Sequence, residues 1–142
     1  MQGCIFYRNL NGYKYELARD YCHPTGIKGH EFSTEYLALD KTGLLYIKKG
    51  YAWDGASGPT VDTKSSMRGS LVHDAIYQLI RLKHLPLICK EVADLLLKEI
   101  CIQDGMNTIR ASVWYHMVSD FGGPSCIPGS DNKQQDEICI AP

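Results

Sequence analysis

Between Tyr51 and Thr60 the chain reads Tyr-Ala-Trp-Asp-Gly-Ala-Ser-Gly-Pro-Thr, and no helix can run through it. Gly55, Gly58 and Pro59 fall within five residues of one another. Glycine gives up its backbone freedom at a penalty in a helix, and proline removes a donor and clashes with the preceding turn. This break separates two hydrophobic periodicities. Before it, the runs Cys4–Tyr7 and Tyr13–Leu17 flank Asn11-Gly12, a strong hairpin-turn pair. Cys22 to His30, rich in Pro and Gly, reads as a loop. Glu35–Leu39 and Leu44–Lys48 flank the longer turn Asp40–Gly43, and aromatic and β-branched residues fill these runs as strands prefer.

After the break the period is helical. Ser65 or Ser66 suits an N-cap. At about 100° per residue, Leu71, Val72, Ala75, Ile76 and Leu79 make one apolar stripe, with Ser70, His73, Asp74, Tyr77 and Arg81 on the other side. Pro86 fits the first turn of a second helix that runs to Gln103 and stops at Asp104-Gly105. A third helix spans Asn107 to Asp120 and ends at Gly122-Gly123-Pro124. Strands followed by helices predict an α+β fold, N-terminal antiparallel β hairpins packed against three C-terminal helices in one domain, residues 1–123. Residues 124–142 mix Pro, Gly, Ser, Asn and Gln and read as a flexible tail.

Charge narrows the partners. Fifteen basic and sixteen acidic residues leave a net charge of −1 over 142 residues. A protein that grips nucleic-acid backbone carries a basic surplus, so general duplex binding is not expected. No run approaches the roughly 18 apolar residues that span a bilayer, so no membrane is expected. Met1–Leu10 lacks the basic-then-apolar pattern of a secretory signal. The six cysteines form no Cys-x-x-Cys pair, which argues against a zinc ribbon. Reduced thiols in a cytoplasm are the expectation, with Cys89 and Cys101 as small core residues.

Chemistry concentrates in the loop Trp53–Thr60 and around His73. Asp54 precedes Gly55, Ala56, Ser57 and Gly58, small residues that let a backbone approach a ligand closely. Trp53 offers a ring for stacking on a nucleobase. The structural alternative is a tight turn capped by Asp54. His73 and Asp74 are adjacent on a helix and point about 100° apart, so Asp74 cannot orient His73 as a triad acid does. Ser57 with His73 would make a nucleophile–base pair, although no spacing demands it. Arg110 and Trp114 lie four apart on the third helix, placed either to line an anionic, aromatic pocket or to pack. His-Glu-x-x-His, Gly-x-Ser-x-Gly, the P-loop and Gly-x-Gly-x-x-Gly are absent from the sequence.

The run Trp53-Asp54-Gly55-Ala56-Ser57-Gly58-Pro59, followed by His73-Asp74-Ala75-Ile76-Tyr77, resembles a small domain family of unknown function from tailed phages and prophages. Ala93-Asp94 matches that family's second helix, and Gly105, Arg110, Tyr115 and Phe121-Gly122 match its third. The resemblance covers roughly residues 35 to 123. Gly58 stands where a bulky apolar residue often precedes the proline, and the segment after Pro124 has no counterpart. The resemblance implies that Asp54, Ser57, His73, Asp74 and Asp94 belong to one polar site; beside it, Trp53, Gly55, Ala56, Tyr77 and Arg110 are the candidate ligand contacts.

Three carboxylates and an imidazole suit a divalent metal, held by Asp54, His73 and Asp94, that activates water. Without metal, His73 would act as general base. The expected activity is a small phage hydrolase acting in the host cytoplasm on a nucleotide or a nucleotide-derived defence signal. Two alternatives stand beside it: a sponge that sequesters such a ligand, and a virion or tail accessory protein whose His-Asp motif is structural. A homo-oligomer is compatible with either alternative. Peptidoglycan is a further substrate class, although no paired Glu arrangement argues for glycoside cleavage.

Overall fold

The computed structural model describes residues 4–10, 14–55 and 63–126. The chain is α+β, strands first and helices after, as the periodicities predict. It divides into two compact units, which among the described residues are 4–54 and 55–126.

The first unit holds two antiparallel sheets. Strands β1 (Tyr7–Leu10), β2 (Lys14–Leu17) and β7 (Ala52–Trp53) form one, in the order β1-β2-β7. Leu10 pairs with Lys14 across the first hairpin, whose turn residues lie outside the described residues. Strands β3 (Tyr21–Pro24), β4 (Phe32–Ser33), β5 (Leu37–Leu39) and β6 (Leu44–Ile47) form the second, in the order β3-β6-β5-β4. Alternation sets the inner face: Tyr21 and His23, Leu37 and Leu39, Leu45 and Ile47 are buried, while Tyr46 between the last two is exposed. The turn into β6 closes through Gly43, whose φ of +93° is open to glycine and strained for other residues.

Two stretches expected as loop contain strands. Tyr21–Pro24 pairs with β6 from Tyr21↔Ile47 to Pro24↔Leu44. Its proline is tolerated because β3 is an edge strand, with no neighbour on its other side among the described residues. Ala52–Trp53 pairs with β2 at Glu16 and Tyr15. Both strands exist through partners distant in sequence, which local composition does not report.

The second unit is three helices, α1 (Lys64–Arg81), α2 (Cys89–Gln103) and α3 (Thr108–Phe121). Each lies within a few residues of its sequence expectation. The α1 N-cap is Thr63 rather than Ser65 or Ser66; Ser66 Oγ instead accepts from Thr63 N at 3.0 Å. Asn107 caps α3, its Oδ1 accepting from Ile109 N at 2.8 Å. Arg68 near the start of α1 forks onto Asp104 at the end of α2, with Nε and Nη2 at 3.0 and 2.9 Å from its oxygens. Residues 124–126, expected in the tail, belong to a 3-10 turn, Gly123–Cys126, whose Cys126 is fully buried. Among the described residues, no helix is long and apolar enough to cross a membrane.

Candidate functional site

Most of the polar side of α1 is buried, with Asp74 and Arg81 partly exposed at it. Its apolar stripe is buried as expected, but Ser70, His73 and Tyr77 on the opposite side are buried too. Burying an imidazole and a phenol is tolerable only where their polar atoms find partners. Those partners come from α2.

Asp94, 1% exposed, is the centre. Its Oδ1 lies 2.8 Å from His73 Nε2 and accepts from the Tyr77 hydroxyl at 2.6 Å. Its Oδ2 accepts from Lys90 Nζ at 2.7 Å. Lys90, one helical turn earlier, also donates to the carbonyls of Val118 and Ser119 at 3.0 and 3.1 Å, near the end of α3. Its three donors are thereby used, and its charge lies where the α3 dipole is negative. The His73 and Tyr77 rings, also one turn apart, have centroids 4.0 Å apart. Asp74 Oδ1 is 3.6 Å from the other imidazole nitrogen, Nδ1. One carboxylate therefore ties together α1, α2 and, through Lys90, α3.

The charges follow from this geometry. Burial pulls the His73 pKa down, but the carboxylates of Asp74 and Asp94 outweigh it, and the imidazole is held above its ordinary range. Burial pushes Asp94 up, and bonds from His73, Lys90 and Tyr77 more than reverse that, so its carboxyl sits below the ordinary range. Burial, then the hydrogen bond to Asp94, raises the Tyr77 phenol. The network thus sets two basic side chains, His73 and Lys90, against two carboxylates, Asp94 and Asp74, with the Tyr77 phenol held toward its neutral form.

Of the residues expected in one site, the helical unit brings together His73, Asp74, Tyr77 and Asp94. Asp54 belongs to the strand unit, where Lys14 Nζ is 3.6 Å from its Oδ1. Ala56 and Ser57 lie outside the described residues, so the Ser57–His73 pair is not described. Gly55 has a φ of +82°, as a tight turn requires. Trp53 is not an open stacking platform: it is 1% exposed, its ring centroid 5.6 Å from that of Tyr15 and 6.0 Å from that of Tyr7. Arg110 and Trp114 do not make an aromatic, anionic pocket. Trp114 is buried in the core with Leu97, Cys101, Met106 and Val118, and Arg110 Nη1 reaches Thr63 Oγ1 at 3.4 Å.

The expected metal set draws Asp54 from the strand unit and His73 and Asp94 from the helical unit. Among the described residues no three His, Cys, Asp or Glu side chains gather to hold an ion. The chemistry of Asp94 points the same way: the ammonium of Lys90 occupies the place a metal cation would take. Lys90 itself was missed at the sequence level, although Lys90 and Asp94 stand at the i,i+4 spacing of a helical ion pair. A surface cavity of about 300 Å3 abuts the network, lined by Lys90, Asp94, Tyr115 and Ser119 with Leu87 and Ile88. Comparison with protein-family models, curated proteins and solved structures found no match for this chain.

Proposed function

We propose that the chain is a phage or prophage accessory protein, of the virion or tail type, whose His-Asp motif is architectural rather than catalytic. The observation that carries this reading is the saturation of the network. Asp94 takes three side-chain donors, Lys90 spends all of its own, and both nitrogens of His73 face carboxylates. A general base needs a nitrogen directed at substrate, and both of those on His73 are turned to carboxylates. The phage setting rests on the motif resemblance.

The test pairs stability with turnover. Asp94→Ala takes from buried His73 and from Lys90 the carboxylate they share and should destabilise by about 3–5 kcal/mol in urea unfolding; His73→Ala removes one of three donors to Asp94 and should cost about 1–3 kcal/mol. A mixed pool of linear and cyclic nucleotides incubated with the wild-type protein should return unchanged by mass spectrometry.

A second reading is favoured by the cavity beside Asp94 and Lys90. In it the protein is a hydrolase acting on a nucleotide or a nucleotide-derived defence signal, or a sponge for one. New product masses that vanish in a stably folded His73→Ala protein would establish the hydrolase. A species depleted from solution and recovered intact after denaturation would establish the sponge.

A further inference from the structure

We propose that Gly122–Cys126 is a latch that opens locally while the three helices stay folded, uncovering the Tyr77–Asp94 network and the Cys126 thiol. The inference starts from what this segment covers. A Cβ built on Gly122 would lie 2.5 Å from the Tyr77 hydroxyl, so the backbone at Gly122 rests directly on the phenol that donates to Asp94. Four residues on, Cys126 is fully buried. Burial pushes its thiol up to about 11, and Lys90, Asp94 and Arg81 all lie close enough to act on it electrostatically. The segment therefore lies over the outer side of the network.

Among the described residues, what holds it closed is slight. Arg81 Nη1 donates to Ser125 O at 3.0 Å, at an exposed position. Two backbone bonds, Gly122 N to Val118 O at 2.8 Å and Ser125 N to Gly122 O at 3.1 Å, are local. Pro124 and Ser125 are exposed, and a Cβ on Gly123 would meet nothing within 4 Å. Burial of a single side chain, Cys126, is the main apolar anchor. Segments with few buried contacts and mostly local hydrogen bonds occupy the low end of the scale of local opening free energies. The helices beneath belong to the other end, with Leu71, Leu97, Ile100 and Cys101 buried between them. Adjacent glycines at 122 and 123 leave the backbone of the moving segment free to change conformation.

Two of the three buried thiols among the described residues make the opening measurable. Cys126 reports the latch, and Cys101, fully buried in the helical core, reports unfolding of the helices. The native protein is pulsed with N-ethylmaleimide, and each cysteine is followed by peptide mass spectrometry. The exposed Cys4 and Cys22 serve as the fast reference. Cys126 should label at least about tenfold faster than Cys101. Arg81→Ala removes a charge-assisted bond and should speed Cys126 by about tenfold with Cys101 unchanged. Should Arg81→Ala fail to fold, low urea on the wild-type protein decides. Local opening exposes little surface, so the Cys126 rate should stay nearly flat while that of Cys101 rises. Equal labelling of the two thiols, a Cys126 rate indifferent to Arg81→Ala, or parallel urea dependences would each overturn the latch.

Discussion

His73 and Asp94 carry opposite charges in a buried setting, and this makes the helical unit most stable in a bounded pH window. The imidazole is held above its ordinary value of 6.5, because Asp74 and Asp94 together outweigh its burial. Its contribution is therefore complete below pH 6.5 and is lost as pH rises through the higher folded value. The Asp94 carboxyl sits below its ordinary 3.8, held there against burial by His73, Lys90 and Tyr77. Its contribution is present above pH 3.8 and is lost as pH falls through the lower folded value. Between those limits the pair is fully charged and contributes most. Urea unfolding followed from acid to alkaline pH should show the alkaline decline in the wild-type protein and its loss in His73→Gln. An unchanged alkaline limb in that variant would remove His73 as its cause. At this scale the sequence named His73, Asp74, Tyr77 and Asp94 but missed Lys90, which pairs with Asp94. Residue type reports what a side chain can bind. It does not report that a lysine one turn away has already bound it.

The α1 helix shows why an element's two faces are not equally legible. Its apolar stripe from Leu71 to Leu79 follows from period alone. Most of its polar face is interior because α2 brings Asp94 across to it, which no window within α1 contains. The close approach of the two helices is set at Gly69, where a Cβ would lie 2.6 Å from Cys101 Sγ and 3.2 Å from the Leu97 carbonyl oxygen. Gly69→Ala should therefore destabilise by about 1–3 kcal/mol through overpacking, despite alanine's better helix propensity. The same change in a Cys101→Ala background should cost less, since the nearer obstacle is gone. Thermal melts of the four proteins in that cycle measure the difference, and equal costs in both backgrounds would show that the sulfur is not the obstacle. The strands illustrate the reverse case. Hairpins with turn chemistry, Asp40–Gly43 above all, are readable locally. Tyr21–Pro24 and Ala52–Trp53 are strands because distant partners supply their hydrogen bonds.

For the molecule as a whole, balanced charge has a direct consequence. With fifteen basic and sixteen acidic residues the isoelectric point is near 6.5. Large exposed apolar side chains such as Ile88, Ile109 and Phe121 then meet little electrostatic repulsion between copies. Self-association measured by light scattering should peak near pH 6.5 and fall on either side; a flat profile would show that net charge does not govern it. By itself, the sequence determined the α+β order, the bounds of three helices and most of the turns. These depend on period, capping and Gly/Pro chemistry within about a dozen residues. The tertiary structure alone decided that the His-Asp face is buried, that Lys90 completes it, that Trp53 is core and that Cys126 is covered. Each of these depends on which residues meet across elements, 17 and 21 positions apart for the two Asp94 bonds to α1. That meeting is fixed by how helices pack and by the need to pair every buried polar group, not by any local pattern.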